Sequence, residues 1–136
     1  MVRLIMSGSG EGKTKQLIEL MENAVEQEVG CMVCIEPKRN MSFNLRHQTR
    51  LIDSSEFHVD SFDVLRGFIC GLYAGNYDIS HIFIDNLCKV AHSNDERSIG
   101  EFLNWLDAFS APINLKVTVT ISAPPETATD TMRKYM

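Results

Sequence analysis

Seven consecutive residues near the N-terminus, Gly8-Ser9-Gly10-Glu11-Gly12-Lys13-Thr14, combine three glycines with a lysine and a hydroxyl. That mixture suits one task, the holding of phosphate groups. Glycines at alternate positions let the backbone take positive φ and turn several N–H groups toward one point. Lys13 brings a positive charge to the β and γ phosphates, and the Thr14 hydroxyl is a hard oxygen ligand for Mg²⁺. A second candidate, Asp85, closes the apolar run His81-Ile-Phe-Ile84. A carboxylate at the end of a buried strand can face Thr14 and hold the same ion through a water, although an aspartate there also starts ordinary turns.

Such residues work only if strands and helices bring them together. Val2–Met6 is a short apolar run that ends at the glycine-rich stretch. From Lys13 to about Glu28, Leu17, Ile18, Met21, Ala24 and Val25 fall at helical spacing, with glutamates opposite and Gly30 as a C-terminal stop. Cys31–Ile35 reads as a second strand, ended by Glu36-Pro37. A long connection to Asp60 holds two short candidate strands, around Arg50–Ile52 and Phe57–Val59. Val64, Leu65, Phe68, Ile69 and Leu72 mark the next helix, with Asp60 or Ser61 as its cap and Gly75 as its stop. His81–Ile84 is the third clear strand; Ile99, Phe102, Leu103 and Leu106 mark a helix that ends before Pro112. Val117–Ile121 is the fourth, and Ala123-Pro-Pro-Glu126 begins a short terminal helix. This alternation predicts an α/β fold, a three-layer sandwich with a mostly parallel sheet, in a single domain over 1–136.

The stretch from Ser7 to Thr14 follows G-x-x-x-x-G-K-[ST] except at its first position, where Ser7 replaces glycine. It resembles the Walker A motif of P-loop NTPases, and Asp85 resembles the Walker B aspartate. If the backbone at Ser7 needs positive φ, the serine carries about 1–3 kcal/mol of strain. The order of elements is similar to the core of the additional-strand, RecA-like branch, and to short bacterial P-loop proteins of unassigned function. The resemblance implies ATP and Mg²⁺ as ligands, with Gly8 to Thr14 binding the nucleotide and Thr14 and Asp85 holding the metal. Lys13 and Glu36 are the implied catalytic pair, since the catalytic glutamate of that branch also ends the second strand. Read from its own surroundings, Glu36 is equally a solvated residue before a proline turn. Asn86 stands where many hydrolysing relatives place a glutamate, and an amide cannot accept a proton from water. Only residues 122–136 follow the fourth strand, so the resemblance implies a minimal core lacking its last strand, with a site that another subunit or a protein partner completes.

Other chemistries find little support. The four cysteines lie in apolar surroundings and read as buried reduced thiols; Cys31 and Cys34 have metal spacing, but no second pair stands at finger-like distance. His58, His81 and His92 form no ligand pattern, and no Ser-His-Asp arrangement is identifiable. A formal charge of −5 argues against nucleic-acid binding over the whole surface. No apolar run reaches the 18 or so residues that span a bilayer, and the start of the chain lacks a leader pattern, so a cytoplasmic protein is expected. Between Pro37 and Ile52, Lys38, Arg39, Arg46, His47 and Arg50 meet no acidic residue. They suit a phosphate clamp, an arginine finger, an acidic macromolecule or simple solvation. Thr120 and Ser122 are either sensors of the γ-phosphate or ordinary strand-edge residues.

The first functional expectation is therefore ATP binding with Mg²⁺ and slow or partner-dependent hydrolysis. A nucleotide-dependent switch or interaction module with little hydrolysis is the alternative. A nucleoside kinase resembling thymidine kinase is the third; the chain lacks the four-cysteine zinc lobe and the lid of that family.

Overall fold

The computed structural model describes residues 1–8, 13–27, 30–38 and 49–136, with Lys13 and Thr14 described by their backbone alone. Among the described residues, five strands form one parallel sheet: β1 (Val2–Ser7), β2 (Cys31–Glu36), β3 (Thr49–Asp53), β4 (Ile79–Ile84) and β5 (Lys116–Ser122). Their order across the sheet is β1-β5-β4-β2-β3. The last strand in sequence thus separates the first from β4. The same described residues form five α-helices: α1 (Lys13–Gln27), α2 (Phe62–Gly75), α3 (Leu87–Val90), α4 (Glu96–Ser110) and α5 (Asp130–Arg133). None is long and apolar enough to cross a membrane.

Alternation along each strand sends successive side chains to opposite faces. One face carries Leu4, Val33, Ile35, Ile82, Ile84, Val117 and Val119, packed against α2 and α4 as the main core. Leu65, Ile69, Phe102, Leu103 and Leu106 face them with essentially no exposure. Each such side chain contributes about 1.5–3 kcal/mol by leaving water. The opposite face packs Met32, Cys34 and Phe83 against Leu17 and Met21 of α1. On that face β5 presents threonines, Thr118 and Thr120, both buried.

Local signals set the helix ends. Ser61 caps α2 by accepting from the Val64 N–H at 3.1 Å, and Asp95 caps α4 by accepting from the Ser98 N–H at 3.0 Å. Each such cap contributes about 1 kcal/mol. The hydrogen bonds from Ser98 also hold the Asp95 carboxyl below its ordinary range.

Three expectations need correction. Phe57–Val59 is not a strand: Ser54–Phe57 forms a 3-10 turn capped by Asp53, and β3 alone occupies the connection among the described residues. Pro125–Thr127 is also a 3-10 turn, and the terminal helix starts later, capped by Thr129. The cysteines are all free, but Cys31 and Cys70 are exposed, because one begins β2 and the other lies off the buried Phe62, Leu65, Ile69 stripe of α2.

Gly30 serves a tighter purpose than a helix stop. A Cβ there would collide with the backbone oxygen of Asp78, which already accepts the Cys31 N–H at 2.8 Å. Gly30→Ala is expected to cost about 1–3 kcal/mol, the range for overpacking against an unyielding neighbour. A urea denaturation midpoint equal to that of the parent would count against this reading.

Candidate functional site

The carboxyl ends of the parallel strands gather the polar residues. Register brings Glu36 opposite Asp53, and Ser7 opposite Ser122. Asp85 follows Ile84, and its N–H donates to the Ile35 carbonyl at 2.8 Å, which continues the ladder one residue past β4. Ile35 and Ile84 are paired, so Glu36 and Asp85 stand at the same level and on the α1 face. Both are almost fully buried, at 1% and 6% exposure. Carboxylates in such positions require partners or a ligand, because isolated burial of charge is costly.

Asp85 is held by the neighbouring strand. The Thr120 hydroxyl donates to Asp85 Oδ1 at 3.1 Å, and Thr120 Oγ1 in turn accepts the Asn86 N–H at 2.9 Å. Thr120 is fully buried. The hydroxyl thus ties the carboxylate to the turn that leaves β4. Thr120→Val keeps the shape but strands the Asn86 N–H, so stability should fall by about 1–3 kcal/mol. Equal denaturation free energies for parent and variant would remove Thr120 from this role.

Asn86 itself sits at φ 58°, ψ 67°, in the left-handed region. Asparagine tolerates that region far better than glutamate does. The local backbone therefore supplies a physical reason for an amide at this position.

Beneath the carboxylates lies Cys34. Burial pushes its thiol well above the ordinary value, and the charges of Asp85 and then Glu36 push the same way. Deeper on this face, His81 Nε2 lies 2.9 Å from Thr118 Oγ1, with its ring stacked on Phe83 at 4.0 Å. These are packing roles, and His81 stands toward the opposite end of β4 from Asp85.

Of the glycine-rich stretch, Ser9 to Gly12 and the side chains of Lys13 and Thr14 lie outside the described residues. Their flanks are described: β1 ends at Ser7, and α1 begins at Lys13. Ser7 carries no left-handed strain, since it is extended strand and is absent from the positive-φ residues His58, Asn86, His92 and Asn114. Its Oγ is buried and meets no hydrogen-bond partner among the described residues. The serine in place of the first glycine therefore fits the strand without backbone cost. Of the basic segment, residues 39–48 also lie outside the described residues, while Arg50 is exposed as the second residue of β3 and pairs in register with Val33. It therefore faces the α2 and α4 side, away from Glu36 and Asp85. Ser122 is exposed, whereas Thr120 contacts Asp85.

No three His, Cys, Asp or Glu side chains among the described residues converge to hold a metal by themselves.

No family model and no curated protein matches the sequence. The fold does have solved counterparts. One is a KaiC-like protein from the hyperthermophilic archaeon Pyrococcus horikoshii OT3, with a TM-score of 0.68 and 16% identity, covering 98% of this chain and 68% of that one. The architecture is a RecA-like α/β sandwich with a parallel five-stranded sheet.

Proposed function

We propose that residues 1–136 form a nucleotide-binding domain that takes ATP with Mg²⁺ and hydrolyses it slowly or on meeting a partner. The observation that carries this reading is the Asp85–Thr120 hydrogen bond at the carboxyl end of the sheet, one strand away from the end of β1. Ligands of open parallel sheets bind outside that edge. The strand order supports it too, because β5 brings Thr120 between the strand that leads into the glycine-rich stretch and the strand that ends in Asp85.

In this reading Gly8, Ser9, Gly10, Glu11 and Gly12 turn backbone N–H groups toward the phosphates, and Lys13 offsets their charge. Thr14 and Asp85 would hold the metal, which would supply positive charge to screen the phosphates. The buried carboxylate of Asp85, already fixed by Thr120, is a hard and preorganised oxygen donor of the type Mg²⁺ prefers. Glu36, level with Asp85, is the base that accepts a proton from the attacking water. A site finished by a second subunit or a protein partner would make turnover depend on assembly.

The switch reading rests on Asn86. An amide beside Asp85 cannot act as a base, and its left-handed backbone disfavours a glutamate in its place. Without a competent Glu36, the domain would bind nucleotide and change partners instead of turning over.

The test is titration of ATP with and without Mg²⁺ against Asp85→Ala. The variant should lose affinity for the Mg²⁺ complex far more than for free nucleotide. Equal losses would make Asp85 a structural residue. Failure of the parent chain to bind ATP at all would sink the proposal.

A further inference from the structure

A cavity of about 330 Å³ opens beside the carboxyl ends of β1 and β5, on the face covered by α4. Its volume falls within the range of small-molecule sites. Its described lining residues Met6, Ile99, Ile121 and Met132 lie across the sheet from α1, the helix that follows the glycine-rich stretch. The ends of four segments meet there, so its walls do not belong to one loop.

The floor is apolar. Met6, Ile99, Ile121 and Met132 line it, each less than a tenth exposed. Two thioethers favour an aromatic occupant, since sulfur packs well against the edge of a ring. The rim brings two carboxamides, Asn86 and Asn94. Each amide offers donors and an acceptor, which matches a ring edge that carries both kinds of group. Asn86 is preset for this. Its backbone is anchored by the bond to Thr120, while its side chain takes no part in capping α3. Lys89 and Glu96 also reach the rim, one of each sign, so the described lining residues carry no net charge. That balance disfavours phosphate or carboxylate ligands.

We propose that this cavity binds a flat, uncharged nitrogen heterocycle of nucleobase size, as a molecule separate from any nucleotide held at the glycine-rich stretch. The ring lies on the two methionines, and its edge pairs with the two amides.

The probes are adenosine, guanosine, cytidine and uridine, none of which carries phosphate, added to the full chain with labelled methionine methyl groups. At least one should move the Met6 and Met132 resonances in a saturable way. Met21 and Met32, buried against α1 on the other face, should stay still. Asn94→Ala, an exposed position, should weaken that binding about tenfold, the equivalent of one lost hydrogen-bond pair. Lys13→Ala should leave it unchanged. Absence of shifts at Met6 and Met132 with every nucleoside overturns the proposal. So does binding that survives Asn94→Ala intact, or that vanishes with Lys13→Ala. The outcome is independent of the nucleotide reading: nucleoside binding by a chain that ignores ATP would sustain this site and remove the other. ATP binding with unmoved Met6 and Met132 under every nucleoside would do the reverse.

Discussion

Glu36→Gln is expected to leave ATP affinity close to the parental value and to lower turnover by about 10²–10⁴-fold, the usual contribution of a general base. The substitution keeps the side chain's size and hydrogen-bonding reach while removing the carboxylate that accepts a proton. Glu36 is 1% exposed and level with Asp85, so the amide has the same space, and the proposed nucleotide-holding residues are left in place. Steady-state phosphate release measures the rate, and a binding titration measures the affinity. The assay should span protein concentrations, because a site shared between subunits gives a rate per subunit that rises with concentration. An unchanged rate in the variant, where the parent turns over clearly, would show that Glu36 is not the base. Tight binding by a parent that never turns over would favour the switch.

Lys13→Ala is expected to remove most of the thermal stabilisation that ATP with Mg²⁺ confers. A ligand that binds only the native state stabilises it by RT ln(1 + [L]/Kd), about 2.7 kcal/mol at a hundred times Kd. Lys13 is the only positive side chain within the glycine-rich stretch, so its loss leaves the phosphates facing backbone N–H groups alone. Melting curves with and without nucleotide give the answer. A variant that keeps the full shift would place the phosphates elsewhere.

Much of the scaffold could be read along the chain. Val-Thr-Val-Thr-Ile at 117–121 alternates as a strand with two unlike faces must, and β5 sends its valines to one core and its threonines to the other side. Leu17 and Met21, one helical turn apart, both reach the core beneath α1. The misreadings have local causes. Phe57–Val59 has strand-like residues, yet Asp53 accepts from the Ser55 N–H and starts a turn first. Cys31 and Cys70 look apolar in sequence, but burial depends on which side of an element a residue occupies.

The strand ends that carry Glu36 and Asp85 were determined by the sequence, because apolar runs are local and periodic, and glycine spacing is what proposes a phosphate site beside them. What only the tertiary structure decided is who stands beside whom. Thr120 lies 35 positions from Asp85, and nothing in either neighbourhood says that they touch; the insertion of β5 between β1 and β4 makes the contact. The same is true of Asn86, whose left-handed backbone appears only where β4 turns toward α3 beside that threonine. Periodicity tells each strand which face is buried, but the order of strands is set by how whole layers pack, and that information is spread over the entire core.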